Sequence, residues 1–148
     1  QKVRDLIING TLDGTQETLL INVLRVENVK RIKKALESNK IVLCDRFIGS
    51  TFAYQGYLNN MPYKTIQGLH ELLFDDLKPD FSFLLTSTTQ EIENRIQHRT
   101  LTPDKYDKLS LTNNNELVEA YKKYTNFTEI IDNVYIGITT AKILKYIL

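Results

Sequence analysis

The order of apolar and polar positions predicts a chain in which helices alternate with short strands. Apolar residues recur at three- and four-residue spacing in some segments and form short unbroken runs in others. The predicted helices span Lys2–Asn9, Thr15–Ser38, Lys64–Leu77, Thr89–His98, Asn113–Thr125 and Thr140–Leu148. The predicted strands span Ile41–Cys44, Phe81–Leu85 and Val134–Ile136. This alternation predicts an α/β fold with a parallel sheet flanked by helices.

The first predicted strand, Ile41–Cys44, is apolar throughout. Such a run is typical of a parallel strand that is buried on both faces. We therefore expect Cys44, the single cysteine of the chain, to be a small core residue. One cysteine cannot form an intramolecular disulfide, which is typical of a protein in the reducing cytoplasm.

Composition narrows the possible partners. The chain has 148 residues, 42% of them hydrophobic and 25% charged, with a formal net charge of +1. Its length and the lack of a linker or repeat predict a single domain over residues 1–148. The near-neutral charge gives no general attraction to nucleic acid or acidic membranes, and no run reaches the roughly 20 apolar residues of a membrane helix. We expect neither a nucleic acid nor a membrane as partner.

Polar residues follow the first predicted strand at once. Asp45 and Arg46 stand at its carboxyl end, where ligands bind in open α/β sheets. A carboxylate there can hold a metal ion, and a guanidinium can pair with two phosphate oxygens. The pair therefore predicts a phosphate site.

Residues 45–56 read D-R-F-I-G-S-T-F-A-Y-Q-G, which resembles the D-R-[YFH]-x-x-S-x-x-A-Y-Q-G signature of bacterial thymidylate (dTMP) kinases. The resemblance implies a P-loop nucleoside-monophosphate-kinase-like fold. It implies transfer of a phosphoryl group from ATP to dTMP, giving dTDP, with Mg²⁺ as cofactor. It also implies a homodimer packed through helices, for which Thr15–Ser38 could supply the surface.

The same resemblance implies roles within the signature. Asp45 matches the carboxylate near the metal ion, and Arg46 matches the arginine that contacts the acceptor phosphate. Ser50 and Thr51 match polar positions near the base, and Tyr54 matches the tyrosine beside the sugar 2′ position. Gln55 completes the motif, and we count it with the substrate-binding residues.

Two further segments resemble family motifs. Residues 19–25 are similar to the L-L-F-x-A-x-R helix, in which Arg25 matches the arginine that reaches the thymine carbonyl. Ile21 stands where the family has a phenylalanine stacked on the base, so this chain lacks that aromatic face. Residues 99–110 resemble the lid, and the resemblance implies that Arg99 or Arg95 carries the transfer charge, with Lys105 as a further lid cation. Thr100–Ser110 is polar and predicts a loop.

Several of these residues have simpler alternative roles. Arg25 can be a surface charge whose stem covers the core, and Ser50 can cap a helix. Tyr54 can be an ordinary half-buried aromatic. Arg95 and Arg99 can be helix-end charges that favour the helix dipole.

The phosphate-cradling motif G-x-x-x-x-G-K-[ST] does not occur between Gln1 and Leu148, which is the largest departure from the family pattern. In the family this loop lies upstream of the segment that matches Gln1. We therefore expect a carboxyl-terminal two-thirds of a kinase, without its first strand and phosphate loop, that is inactive alone. Two alternatives stay open. One is a deoxynucleoside kinase, and the other is a non-catalytic fragment or pseudoenzyme that keeps the nucleotide-binding fold.

Overall fold

The structure is a computed structural model that describes residues 2–99 and 102–148. Two compact units divide between Lys78 and Pro79. Two compact units do not decide how many domains the chain forms. One nucleotide-kinase domain over residues 1–148 therefore stays a prediction. Thr100 and Leu101, at the start of the predicted lid loop, lie outside the described residues.

The first unit is built from helices. The elements are α1 (Lys2–Asn9), α2 (Gly14–Glu37), α3 (Phe47–Thr51), the π-helix (Phe52–Leu58) and α4 (Tyr63–Phe74). Helix α2 begins with a reciprocal cap, because the Asp13 carboxylate accepts a hydrogen bond from Gln16 N at 2.8 Å and Gln16 Oε1 accepts one from Asp13 N at 3.0 Å. Helix α2 packs against α1, α4 and the π-helix.

Helix α2 buries its polar residues, although its apolar periodicity favours the opposite face. Val29 is buried as expected, but the side chain of Val23 is 57% exposed. The buried polar residues are Glu17, Thr18, Asn22 and Arg25. Burial is tolerated here because these groups hydrogen-bond to one another, to the backbone and to α3 and the π-helix.

The predicted strand Ile41–Cys44 is not formed, and this prediction was wrong. Ile41 is 69% exposed and Leu43 is 81% exposed, and Cys44 is an exposed free thiol and not a core residue. A strand needs a neighbour to receive its backbone hydrogen bonds. Among residues 2–99 and 102–148, no strand pairs with this segment.

The second unit contains a two-stranded parallel sheet. Strand β1 (Phe83–Thr86) pairs with β2 (Glu129–Asp132), with Phe83 opposite Glu129 and Thr86 opposite Asp132. Its helices are α5 (Thr89–Gln97), α6 (Lys105–Thr112), α7 (Asn114–Tyr124) and α8 (Ile136–Leu144). A parallel pair with helical crossovers confirms the predicted α/β class.

Two element predictions in this unit were wrong. Val134–Ile136 is not a strand, because the parallel ladder ends earlier, where Asn133 N donates to Thr86 O at 2.8 Å, and α8 begins at Ile136. Lys105–Ser110 is not a loop, because the Asp104 carboxylate caps helix α6 by accepting from Tyr106 N and Asp107 N.

Candidate active site

Arg25 is the centre of a buried polar group in the first unit. Its side chain reaches from α2 to α3, and the residue is only 8% exposed. Nη2 donates to Thr51 Oγ1 at 2.8 Å and to the Phe47 carbonyl at 3.0 Å, and Nη1 donates to Asn22 Oδ1 at 3.1 Å. The Phe47 ring lies beneath the guanidinium, 5.7 Å from ring centroid to Cζ. Arg25 is therefore not a surface charge.

Burial lowers the pKa of Arg25 to about 10. The guanidinium remains protonated at neutral pH, so the group offers hydrogen-bond donors and a positive charge. A cation with fixed donors suits a carbonyl-bearing or anionic ligand. The half-buried Ile21 lies one helical turn earlier on α2.

Asp45 and Arg46 lie in a tight turn that precedes α3. Phe47 N donates to the Asp45 carbonyl at 2.8 Å across Arg46, which has φ 66° and ψ −45°. This three-residue turn is rare and strained for a residue other than glycine. Strained backbone of this kind clusters at ligand sites.

The turn leaves both side chains at the surface. Asp45 and Arg46 are exposed, and within the described part of the chain the Asp45 carboxylate has no hydrogen-bond or ion-pair partner. Arg46 Nη1 lies 3.5 Å from the hydroxyl of the buried Tyr54. The structure thus brings Arg46 and Tyr54 together.

The remaining signature residues are buried or half-buried on α3 and the π-helix. Ser50 is half-buried and Thr51 is fully buried at the end of α3. Gln55 is 1% exposed, and its Nε2 donates to Glu17 Oε2 on α2 at 2.9 Å. The amide of Gln55 is therefore engaged inside the protein, and it joins the π-helix to α2.

The lid arginines belong to the second unit. Arg99 Nη1 forms an ion pair with Asp107 Oδ1 at 2.8 Å, and Asp107 also closes the capping box of α6. Arg95 donates to Ser87 Oγ at 3.1 Å and to the Asn133 carbonyl. Arg95 thus binds the carboxyl ends of the two strands, whereas Arg99 pairs with a side chain of the lid helix.

Sequence reasoning missed three residues that hold this site together. Asn22, Glu17 and Phe47 supply the contacts to Arg25 and Gln55. A signal for Asn22 exists, because Thr18, Asn22 and Arg25 follow one another at helical spacing and form a polar stripe on one face. The neighbouring sequence gives no signal that Glu17 pairs with Gln55 or Phe47 with Arg25.

The first unit thus offers a buried arginine, hydroxyl side chains and a strained Asp-Arg turn, an arrangement that suits an anionic ligand such as a nucleotide. A sequence model of the family described as thymidylate kinase matches residues 1–143. The chain therefore belongs to the thymidylate kinase family. Membership places it among the P-loop nucleoside-monophosphate-kinase folds and confirms the resemblance found in the signature.

Individual relatives agree with this assignment. The chain is 32% identical over 142 residues to a thymidylate kinase of Wolbachia pipientis wMel, covering 95% of the chain and 69% of the relative. It is 35% identical over 125 residues to one of Wolbachia sp. subsp. Brugia malayi, covering 83% and 58%. It is 27% identical over 143 residues to one of Mycoplasma genitalium, covering 96% and 62%. The chain thus spans 58 to 69% of the length of these relatives.

Proposed function

We propose that the full-length protein containing this chain transfers the terminal phosphoryl group of ATP to dTMP and releases dTDP and ADP. Family membership and the similarity to thymidylate kinases support the reaction. The observation that carries the proposal for this chain is the Asp45–Arg46 turn, which presents an exposed acid and guanidinium, with Arg46 Nη1 3.5 Å from the hydroxyl of the buried Tyr54.

In this proposal Arg46 binds the phosphate of dTMP. A guanidinium pairs with two phosphate oxygens at once and neutralises charge as it builds up during transfer. The hydroxyl of Tyr54, 3.5 Å from Arg46 Nη1, orients that side chain and borders the sugar. Arg25 binds the base with Ser50 and Thr51, and Ile21 gives apolar contact with it.

Magnesium is the proposed cofactor, and Asp45 is its proposed protein ligand. Mg²⁺ is usually held by one or two carboxylates together with substrate phosphates. The unpartnered carboxylate of Asp45 fits such a shared site. Among the described residues, no group of three or more His, Cys, Asp or Glu side chains could hold a metal ion. When bound, the ion neutralises phosphate charge.

Arg99, which follows α5, is the proposed lid cation. Lys105 at the start of α6 is the proposed second cation of the lid. The side chain of Arg99 in its ion pair with Asp107 is 55% exposed, so the guanidinium is open to water and can exchange Asp107 for a phosphate. The contacts of Arg95 with Ser87 and Asn133 support a structural role for Arg95 at the strand ends.

We also propose a cytoplasmic homodimer that packs through α2. Three exposed apolar residues at helical spacing support that surface, namely Leu19, Val23 and Val26. No helix in the described part of the chain is long and apolar enough to cross a membrane.

The test is a phosphate-transfer assay on the full-length protein with ATP and Mg²⁺ and four acceptors: dTMP, dUMP, dCMP and thymidine. The proposal predicts the highest kcat/KM with dTMP. Preference for thymidine would identify a deoxynucleoside kinase instead, and absence of transfer to every acceptor would favour the non-catalytic alternative.

A further inference from the structure

Asn22 is a buried amide that contacts Arg25. It is 6% exposed on α2, the helix that packs on the π-helix and reaches α3 through Arg25. Its Nδ2 donates to the Thr18 carbonyl at 2.9 Å, and its Oδ1 accepts from Arg25 Nη1 at 3.1 Å. Both hydrogen bonds are buried.

The two partners fix the orientation of the amide. The Thr18 carbonyl can only accept a hydrogen bond, and the guanidinium can only donate one. A flipped amide would place NH₂ against the guanidinium and oxygen against the carbonyl, so both bonds would be lost. Asn22 thus presents its oxygen to Arg25 in one orientation.

The other hydrogen bonds of Arg25 go to α3 and involve Nη2 alone, through Thr51 Oγ1 and the Phe47 carbonyl. Asn22 is the partner of Nη1 within the described residues. Without it, Nη1 would lose its acceptor in a buried place, which is unfavourable for a charged group. Asn22 therefore completes the set of acceptors that holds the guanidinium in place.

We propose that Asn22 is a positioning residue that fixes the Arg25 guanidinium for recognition of a pyrimidine base that carries a carbonyl oxygen where cytosine carries its amino group. The inference rests on the proposed function, in which Arg25 binds the base of dTMP. The new element is Asn22, which does not touch the substrate and which sets the affinity for dTMP through its bond to Arg25. The Arg25 guanidinium offers only hydrogen-bond donors, so it binds a carbonyl oxygen of the base. An exocyclic amino group at the same place also donates and is therefore disfavoured.

The first measurement is independent of catalysis. In ¹⁵N-labelled protein, the Arg25 Nη1 N–H resonances, assigned by their loss in Arg25→Lys, should be protected from rapid exchange by the bond to Asn22. Asn22→Ala should remove that protection, whereas Asn28→Ala, an exposed asparagine on the same helix, should leave it unchanged. Asn22→Asp keeps an oxygen for Nη1 and should retain it. Unchanged protection in Asn22→Ala would overturn the proposal.

The second measurement is kinetic, on the full-length protein. Asn22→Ala should raise the KM for dTMP about tenfold, the effect of one buried hydrogen bond to a charged group, with kcat within about threefold because the phosphate contacts remain. The ratio of kcat/KM for dTMP over dCMP should fall by a similar factor. Asn22→Asp should stay within about threefold of the parent KM, since it keeps the acceptor.

The outcomes separate the two proposals. No transfer by the parent protein would refute the proposed function, while the exchange measurement would still decide whether Asn22 positions Arg25. An active parent in which Asn22→Ala keeps its KM, or in which Asn22→Ala and Arg25→Ala have additive effects, would overturn the inference alone. If KM follows thermal stability across the variants and not the presence of an oxygen at position 22, Asn22 is merely structural.

Discussion

The buried hydrogen bond between Gln55 and Glu17 should be one of the largest single polar contributions to the stability of the first unit. Gln55→Leu keeps nearly the same side-chain volume but removes the donor that lies 2.9 Å from the Glu17 carboxylate. Both residues are buried, at 1% and 6% exposure. The carboxylate therefore loses a donor in a place where water reaches it poorly.

A hydrogen bond to a charged group contributes about 1.5–3 kcal/mol to the free energy of unfolding. For a chain of this length, 1 kcal/mol corresponds to about 2–4 °C in Tm. We therefore expect Gln55→Leu to lower Tm by about 3–12 °C. Differential scanning calorimetry and urea unfolding followed by circular dichroism both measure this loss.

The chain offers a matched control in Gln67→Leu. Gln67 on α4 donates to Glu71 at 2.8 Å, the same kind of bond at the surface, and has a longer bond of 3.3 Å to Asp76 Oδ1. Its replacement should change the free energy of unfolding by no more than about 0.5 kcal/mol. If Gln55→Leu and Gln67→Leu have equal effects, or if neither lowers Tm, the buried connection between the π-helix and α2 does not have the role assigned to it.

Three further predictions concern other parts of the chain. Arg46→Ala in the full-length protein should lower kcat about 10²- to 10³-fold, because a charge that stabilises the transition state is lost, and a near-normal rate would remove Arg46 from the mechanism. Burial lowers the pKa of His70, so the unfolded chain binds more protons below pH 6.5, and stability should fall as the pH drops through this range. His70→Phe should flatten that slope in pH-dependent urea unfolding, and an unchanged slope would contradict the assignment to His70. Asp104→Ala should cost about 1 kcal/mol through the lost cap and speed amide hydrogen exchange across α6, and unchanged exchange would contradict that cap.

The pH prediction depends on the surroundings of His70. The ring contacts Phe47 and Phe74, with centroids 5.3 and 5.5 Å away, and Nε2 lies 3.0 Å from the Leu77 carbonyl. That carbonyl, Asp76 and Glu71 favour the charged form, while burial, the larger effect, and Arg25 oppose it. The sign follows from burial, which disfavours the imidazolium in the folded state.

Local signals in the sequence predicted the elements that are stabilised locally. Helix α5 begins where Thr88 and Glu91 form a capping box, as their spacing indicates. The pair Asp104 and Asp107 has the same three-residue spacing and caps α6, so this helix could also have been predicted. A loop was expected because the segment is polar and contains Pro103.

Elements that depend on distant partners could not be predicted in the same way. The apolar run Ile41–Cys44 has the composition of a buried strand, yet strand formation requires a neighbouring strand that local pattern does not supply. The buried polar face of α2 depends on Thr51, which lies 26 residues from Arg25. Periodicity measures apolar spacing and does not reveal such pairing.

For the candidate site too, the sequence reveals the motif but not the contacts. The signature at residues 45–56 identified the family and singled out Asp45 and Arg46 as candidate site residues. It could not reveal that Gln55 donates its amide to Glu17, or that Asn22 contacts Arg25. These contacts join elements that are separate in sequence, so they follow from packing and not from the motif.

The central claim is that Arg46 and Arg25 form the acceptor site for dTMP. Isothermal titration calorimetry of dTMP into the full-length protein, without ATP, tests it most directly. We expect saturable binding with one dTMP per chain, weakened at least about tenfold by Arg46→Ala and by Arg25→Ala, the effect of a lost charged hydrogen bond. Absence of binding, or equal affinity in the parent protein and both variants, would contradict the account.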